Sequence, residues 1–591
     1  GRGLTHLKLI FNIFFVEIGR RMSSGRDAAR VAAGLRLILL GTAQRRGADG
    51  MDHLQRAAGH LSGLRSSISA YTPPSAAAAD EHDVSSSEPS ISTAAPAAST
   101  DAAARAAPLP SPAPMPSPLS GSSNVPSTPL ARAFGFANLA GGLTMGAAAE
   151  SMRRLTGGSS DPRFSAFASE QNAERLAAML CRMRGAALKL GQIISLQDAD
   201  ALPPGFAEVM DRVRQGADAM PPAQRERVMA EDLGSDWETR FASFEAEPFA
   251  AASIGQVHVG AVDVGGDGAH SQSQRVAVKV QFPGVADSID SDLRNFERLA
   301  TYTNLLPKGL FAEQLIESAR SELAQECDYV REATMQTRFA AKLAEWRDER
   351  DDGLSGFDAR AGPAGIVVPA VVADLSSSRV LTSHFVGGVP INVAADALSQ
   401  HDRDTVATRM VRLAMKETFE WRLMQTDPNW SNFIYDASRD ELALVDFGAT
   451  REYTTTFASG YLRIVAASAN HDRDAILATS DELGFLDPNE VPELLEAHVG
   501  AGFAMGTPFV NDGLFDFGSP GGLELPARLR SFFATFVQLR KRAPPTEVYT
   551  LHRKLVGTFQ ACIRLRARVP CRAILNQTLA RQAELGSRES E

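Results

Sequence analysis

A set of polar residues in the second half of the chain restricts the possible fold more than any other feature. In the segment TDPNWSNFIYD, Asp427 precedes Asn432 by five residues, and the apolar run 442–445 leads directly into Asp446-Phe447-Gly448. A short apolar run of this kind is typical of a buried strand. Carboxylate and amide oxygens are the ligands that Mg²⁺ prefers. The spacing therefore predicts a magnesium site that contains Asn432 and Asp446, with Asp427 beside it.

Protein kinases use the same spacing for phosphoryl transfer: a catalytic-loop Asp, an Asn five residues later, and the Asp of a DFG sequence. Lys279 ends the strand-like run VAVK. Kinases place there a lysine that binds the nucleotide phosphates and pairs with a helix glutamate. Glu322, Glu326 and Glu332 are candidates for that glutamate, and the pattern does not choose among them. Because these groups occur in the kinase order, the sequence predicts a site for ATP and Mg²⁺.

The loop expected to cover the nucleotide phosphates departs from the protein-kinase pattern. Protein kinases use a glycine-rich loop, whereas this chain has Ala250, Ala251, Ala252 and Ser253 at that position. Each alanine carries a Cβ where glycine would allow close approach and positive φ. We therefore expect these four residues to bind the nucleotide in an altered geometry. After DFG the chain continues as ATREY and contains no APE sequence, so a conventional Ser/Thr protein kinase is disfavoured.

Composition argues against two other classes of protein. The net charge of −10 suggests no broad basic surface, so no nucleic-acid partner is expected. The cysteines form no CxxC pair, and no histidine cluster supplies further zinc ligands; they are Cys181, Cys327, Cys562 and Cys571. We expect unpaired thiols in a reducing compartment.

The first 160 residues divide into three segments. Residues 1–70 are interpreted as a mitochondrial targeting region, because the first 47 are rich in Arg and apolar residues and poor in acidic ones; an unstructured leader is the alternative. Residues 71–130, rich in Ala, Ser and Pro, are predicted to be a disordered linker. Residues 131–160 contain a possible membrane-associated helix, with a soluble helix or an Ala/Gly-rich linker as the alternative. Its Gly142 and Gly146 form a GxxxG spacing that favours helix pairing and a possible homodimer.

Six sequence motifs together resemble one known family. They are KLGQ at residues 189–192, AAASIGQVH, VAVKVQFPGV, ELAQECDYVREA, QTDPNWSNFIYD and LVDFGATREY. In this order they are similar to the motifs of the UbiB family of atypical kinases, and most similar to its mitochondrial coenzyme Q branch. The resemblance covers roughly residues 130–585, which is the size of a folded domain or more.

The resemblance implies an α+β, two-lobed protein-kinase-like fold with an N-terminal helical extension. The extension, with its KxGQ motif, would occupy residues 161–245. A kinase-like N-lobe with a helical insert would occupy residues 246–385, and a kinase-like C-lobe residues 386–591. The resemblance also implies ATPase activity and a location on the matrix side of the mitochondrial inner membrane. Its implied partners are the coenzyme Q biosynthesis enzymes and lipid-like quinone precursors.

The resemblance also assigns roles to single residues. Asp427 would be the catalytic-loop aspartate, and Lys279 would pair with Glu326 in the catalytic site. Asn432 and Asp446 would hold magnesium.

The KxGQ motif would add two residues to the nucleotide site. Lys189 and Gln192 would reach into the active site from the helical extension. Without the resemblance, Lys189 is expected on an amphipathic helix with its ammonium group in water. Two functions share all of these motifs: an atypical kinase with ATPase activity, and a nucleotide-gated scaffold for the quinone biosynthetic complex.

Overall fold

The computed structural model describes residues 135, 138–147, 172, 174–175, 219–252, 254–264, 272–303, 312–349, 359–427, 429–487, 489–541 and 544–589. Several predictions concern residues outside these ranges. They are the targeting region 1–70, the linker 71–130, Ser253, and the KxGQ residues Lys189 and Gln192. They therefore remain predictions.

The described ranges contain strands and helices in mixed order, so the expected α+β class is confirmed. The strands are β1 (Ser243–Phe244), β2 (Ala250–Ala251), β3 (Gly255–Val264), β4 (Gln272–Gln281), β5 (Ile366–Val367), β6 (Val380–His384), β7 (Val389–Pro390), β8 (Leu423–Gln425), β9 (Phe433–Asp436), β10 (Glu441–Leu444), β11 (Thr450–Glu452), β12 (Phe515–Asp516) and β13 (Arg568–Val569). The helices are α1 (Pro222–Leu233), α2 (Val285–Thr303), α3 (Ala312–Glu326), α4 (Tyr329–Asp348), α5 (Ile391–Ala394), α6 (Gln400–Met415), α7 (Thr455–Ala469), α8 (Arg473–Glu482), α9 (Pro492–Gly506), α10 (Pro520–Leu523), α11 (Leu525–Leu539), α12 (Thr546–Leu565) and α13 (Cys571–Glu589).

The first sheet is antiparallel, with the strand order β1-β3-β4-β6, and β2 also pairs with β3. Val276, Val278 and Val280 are fully buried on β4. Because side chains alternate across a strand, the side chain of Lys279 lies on the side of the sheet opposite to these valines. The strands β3 and β4 pair antiparallel along their whole length. The sheet begins at Ser243, and the start of the N-lobe at residue 246 stays a prediction.

Helices α3 and α4 are separated by a short break that matters for the site. Helix α3 ends at Glu326. The side chain of Asp328 then caps α4 by accepting a hydrogen bond from the backbone N–H of Arg331 at 2.9 Å. An N-cap aspartate of this kind favours a new helix start. The described residues between 285 and 348 therefore form three helices, α2, α3 and α4.

The second sheet has the order β5-β10-β9-β7, with β10 parallel to β5 and antiparallel to β9. Its strand β10 is the buried apolar strand predicted before DFG. Strand β5, Ile366–Val367, belongs to this sheet, and the lobe boundary at residues 385–386 stays a prediction. The main hydrophobic core lies around this sheet and helices α6, α12 and α13. The guanidinium of Arg409, on α6, is buried and binds Asp440 in the turn between β9 and β10.

Residues 138–147 are helical, and their glycine-containing face is covered by the same chain. A Cβ on Gly146 would overlap the side-chain oxygen of Asn172, and one on Gly142 would lie 3.3 Å from Arg175 Cδ. Asn172 Nδ2 donates to the Leu143 carbonyl at 3.0 Å. Within the described ranges, no helix combines the length and apolar character needed to cross a membrane. The GxxxG spacing is therefore used inside the chain, and the homodimer stays a prediction.

Candidate nucleotide site

Lys279 lies between carboxylates from two different parts of the fold. Its Nζ is 2.7 and 2.9 Å from the two carboxylate oxygens of Glu332, on α4, and 3.4 Å from Asp446 Oδ2. Burial by itself would lower the pKa of Lys279, but Asp446 and Glu332 raise it well above its ordinary value. Lys279 is therefore a fixed positive charge, which is what a phosphate-binding lysine requires.

The glutamate that pairs with Lys279 is Glu332, so the expected pairing with Glu326 is wrong. Glu332 is on the first turn of α4 and also accepts a hydrogen bond from the Phe447 backbone N–H at 3.3 Å. Glu326 ends the preceding helix and lies beside Gly448. A Cβ built on Gly448 would be 3.4 Å from Glu326 Cγ. The helix break at 327–328 separates the two glutamates. Burial raises the pKa of Glu332 to about 7, against the opposing effect of Lys279.

The alanine-rich loop is a tight turn next to the strand that carries Lys279. Ala250 and Ala251 on β2 pair with β3, and the Ala252 N–H donates to the Gly255 carbonyl at 2.9 Å. Across the β3–β4 hairpin, Val257 lies opposite Lys279. The turn therefore lies at the end of the β3–β4 hairpin that carries Lys279.

Gly255 and Tyr329 also support this turn, although neither was predicted as a site residue. A Cβ on Gly255 would lie 2.5 Å from the Val280 carbonyl oxygen and 2.8 Å from Tyr329 Oη, so a side chain there would push the strands apart. Tyr329 is fully buried, and its ring centroid lies 5.1 Å from Lys279 Nζ. A glycine at the first position of a strand, which often marks a close approach of another backbone, was the available signal.

The catalytic-loop residues are brought together as the spacing predicted. Asn432 Nδ2 donates to Asp427 Oδ2 at 3.0 Å. The β9–β10 hairpin then aligns Asn432 with the start of DFG, because the Val445 N–H donates to the Asn432 carbonyl at 2.9 Å. Since its amide nitrogen binds Asp427, the side-chain oxygen of Asn432 is the atom left for a cation.

Asp446 has an uncommon backbone conformation, with φ of 73°. Few residues other than glycine adopt this region, and those that do often mark functional sites. Its Oδ1 accepts a hydrogen bond from the Gly448 N–H at 3.1 Å, and its carbonyl accepts one from Gln425 Nε2 at 3.3 Å. The Asp446 side chain keeps 34% of its surface exposed, so its carboxylate remains accessible to a ligand.

The donor set fits magnesium bound together with a nucleotide. Among the described residues, no group of three or more His, Cys, Asp or Glu side chains is arranged to hold a metal by itself. Kinase magnesium does not need such a group, because phosphate oxygens and waters complete its coordination. The Asp446 carboxylate and the Asn432 amide oxygen are the protein ligands that this arrangement calls for.

Known proteins are similar in sequence to this chain over most of its length. Residues 212–480 match the model of the ABC1 atypical kinase-like domain. The rat protein named "Atypical kinase COQ8B, mitochondrial" is 43% identical over 459 residues, covering 77% of this chain and 81% of the rat protein. The Saccharomyces cerevisiae protein named "Atypical kinase COQ8, mitochondrial" is 37% identical, covering 78% of this chain and 86% of the yeast protein. The kinase-like fold and the predicted resemblance are confirmed, and the chain belongs to the ABC1 family of atypical kinases.

Proposed function

We propose that this chain is an atypical kinase with Mg²⁺-dependent ATPase activity that supports coenzyme Q biosynthesis in the mitochondrion. The observation that carries the proposal is the placement of Lys279 between Glu332 and Asp446. An ion-paired strand lysine beside the DFG aspartate is the arrangement that nucleotide phosphates and magnesium require. A solvated surface lysine would have no reason to be buried between two carboxylates.

Each site residue has one role in this proposal. Lys279 binds the nucleotide phosphates, and Asn432 and Asp446 hold magnesium, which neutralises phosphate charge when it is bound. Asp427, oriented by Asn432, accepts the proton of the attacking hydroxyl or water. Glu332 takes the role expected of Glu326 and holds the Lys279 ammonium in place.

The remaining nucleotide contacts are assigned by position. The turn formed by Ala250, Ala251 and Ala252 covers the phosphates. The family resemblance adds three residues to the proposed site. They are Ser253, which follows Ala252, and Lys189 and Gln192 of the KxGQ motif.

The proposed acceptor is a small or lipid-like molecule rather than a protein. Support comes from the chain after DFG, which enters strand β11 at Thr450 and helix α7 at Thr455. This leaves little chain to form a platform for a peptide substrate. The proposed location is the matrix side of the mitochondrial inner membrane, with the coenzyme Q biosynthesis enzymes as partners. The word "mitochondrial" in the names of the relatives and the Arg-rich N-terminal region support the mitochondrion, and the matrix side is proposed through the family resemblance alone.

The first experiment measures coenzyme Q in cells that lack their own version of this protein. They would be supplied with the wild type, Asp446→Asn, or the control Asp474→Asn at equal expression. Asp474 is 95% exposed on α8 and lies outside the site. We expect the wild type and the control to restore coenzyme Q and Asp446→Asn to fail. Restoration by Asp446→Asn would show that the magnesium site is dispensable and would refute the proposal.

A second experiment separates the enzyme from a nucleotide-gated scaffold. We expect the purified wild type to hydrolyse Mg–ATP, and Lys279→Ala to lower the rate by about 100-fold or more, because a phosphate-binding cation is lost. Unchanged hydrolysis in Lys279→Ala would overturn the site assignment. Binding of Mg–ATP without hydrolysis by the wild type, combined with failure of Asp446→Asn in cells, would indicate the scaffold.

A further inference from the structure

Two neighbouring side chains of helix α12 reach the catalytic loop from the C-terminal part of the chain. Arg553 and Lys554 contact residues Thr426 and Gln425, respectively, which directly precede Asp427. More than 120 residues separate the two segments in the sequence. Neither cation belongs to the nucleotide site described above, so their burial next to the loop needs an explanation.

Lys554 controls the orientation of the Gln425 side chain. The Lys554 and Glu417 side chains are almost completely buried, with 2.6 Å between Nζ and Oε1. Lys554 Nζ also donates to Gln425 Oε1 at 3.3 Å, and Glu417 Oε2 accepts the Gln425 backbone N–H at 2.8 Å. Because lysine can only donate, the amide oxygen of Gln425 must face Lys554. Its amide nitrogen is then directed to the Asp446 carbonyl, 3.3 Å away.

Arg553 holds Thr426 in a corresponding way. Its Nε donates to the Thr426 carbonyl and its Nη2 to Thr426 Oγ1, both at 3.2 Å. The Thr426 hydroxyl in turn donates to the Ala449 carbonyl at 2.7 Å. The far side of the guanidinium binds both oxygens of Glu322, on α3, at 3.2 and 3.3 Å. One planar fork therefore joins α12, the catalytic loop and α3.

We propose that Arg553 and Lys554 are positioning residues for phosphoryl transfer. They hold the residue pair 425–426 and, through it, the backbone on both sides of Phe447 and Gly448. This support is needed because the left-handed conformation of Asp446 persists only where the surroundings impose it. The inference rests on the proposed function, since it concerns the alignment of the same magnesium ligand.

The arrangement makes a specific kinetic expectation. The contacts of Lys279 with Glu332 involve neither cation of α12, so nucleotide binding should survive a change in Arg553. The same change in Arg553 should disturb the alignment of the DFG backbone with the catalytic loop. Misplacement of a reacting group by about 1 Å costs on the order of 100-fold in rate. Loss of positioning should therefore appear in kcat and not in KM.

The test compares Arg553→Lys with Arg564→Lys on the same helix. Lysine keeps the charge but lacks the fork, so it cannot bind Thr426 and Glu322 together. Arg564 is the matched control, because its fork binds Asp396 at 2.7 and 2.6 Å on the protein surface. For Mg–ATP hydrolysis by the full chain, we expect Arg553→Lys to lower kcat at least about tenfold and to change KM less than about threefold. Both variants are assayed at a temperature at which circular dichroism shows them fully folded, because the loss of buried hydrogen bonds in Arg553→Lys also lowers its unfolding midpoint.

Each other outcome has a definite meaning. Equal kcat in the two variants would overturn the inference, and so would a larger rise in KM, which indicates general structural damage. If Arg553→Lys does not fold, Thr426→Val removes the hydroxyl link and leaves every charge in place. An unchanged kcat in that variant would also overturn the inference. A wild-type protein that neither binds nor hydrolyses Mg–ATP would overturn the proposed function, and this inference with it.

Discussion

Replacement of Asp440 by Asn tests how the hairpin between Asn432 and Asp446 is held in place. Asp440 lies between β9 and β10, with φ of 54°. Its two carboxylate oxygens each accept a hydrogen bond from the buried Arg409 guanidinium at 3.0 Å. Arg360 Nε donates at 2.8 Å and Tyr435 Oη at 2.9 Å. Asparagine tolerates the left-handed region as well as aspartate does, so Asp440→Asn removes the charge without disturbing the turn.

The size of the effect follows from the pKa of Asp440. Burial by itself would raise this pKa, but the hydrogen bonds from Arg360 and Arg409 lower it from 3.8 to about 2. A depressed carboxylate pKa stabilises the fold above the unfolded-state pKa, and this stability is lost as the pH falls through the folded-state value. The shift corresponds to about 2 kcal/mol. Leaving the Arg409 charge buried without its partner adds to the loss, so we expect Asp440→Asn to cost about 3–5 kcal/mol at pH 7.

The assay is urea unfolding of the wild type and Asp440→Asn at pH 7 and at pH 3, followed by circular dichroism. We expect the difference in unfolding free energy to narrow by about 1 kcal/mol at pH 3, because the wild-type carboxylate is then partly protonated in the unfolded chain. Asp396→Asn is the control, since Asp396 forms a two-oxygen pair with Arg564 that is largely exposed. Exposed pairs contribute little. The reasoning would be refuted if both variants lost the same free energy of unfolding. It would also be refuted if the difference between the wild type and Asp440→Asn did not depend on pH.

Two further predictions concern single contacts. Glu332→Gln should weaken Mg–ATP binding by about tenfold, because Lys279 loses its charged partner. Glu345→Gln on the same helix is the control and should leave binding unchanged. If calorimetry gave the two variants equal affinities for Mg–ATP, the ion pair would not position Lys279. Gly146→Ala should separate the 138–147 helix from Asn172 and increase proteolysis of that segment, without a change in sedimentation. A wild-type dimer that became a monomer in this variant, with unchanged proteolysis, would assign the glycine to self-association instead.

The parts of the site that could be predicted are those set by short-range spacing. Asp427 and Asn432 flank one tight turn, and a single hairpin brings Asn432 to the residue before Asp446. Such distances depend on a few residues of local structure, so the motif alone determines them. Lys279 was recognisable for the same reason, since alternation along β4 fixes the side of the sheet on which it lies.

The parts that could not be predicted depend on where a helix ends or on contacts between distant segments. Glu326 and Glu332 are equally plausible partners for Lys279 until the Asp328 cap divides their helices. Lys554 is a charged residue on a helix, which usually indicates a solvated position. Its burial against Glu417 depends on how α12 packs in the core, and no local pattern shows this.

The short connection after DFG has a consequence for how the proposed activity could be controlled. In protein kinases, a long segment at this point becomes ordered on phosphorylation and turns activity on. Here Thr450 is already buried and paired with Gln425 across β11 and β8, and the Thr454 side chain caps α7. Residues 449–454 are thus already held by pairing and capping, and phosphorylation there would have no unpaired segment to order. For the proposed activity, we therefore expect no activating covalent switch within this connection.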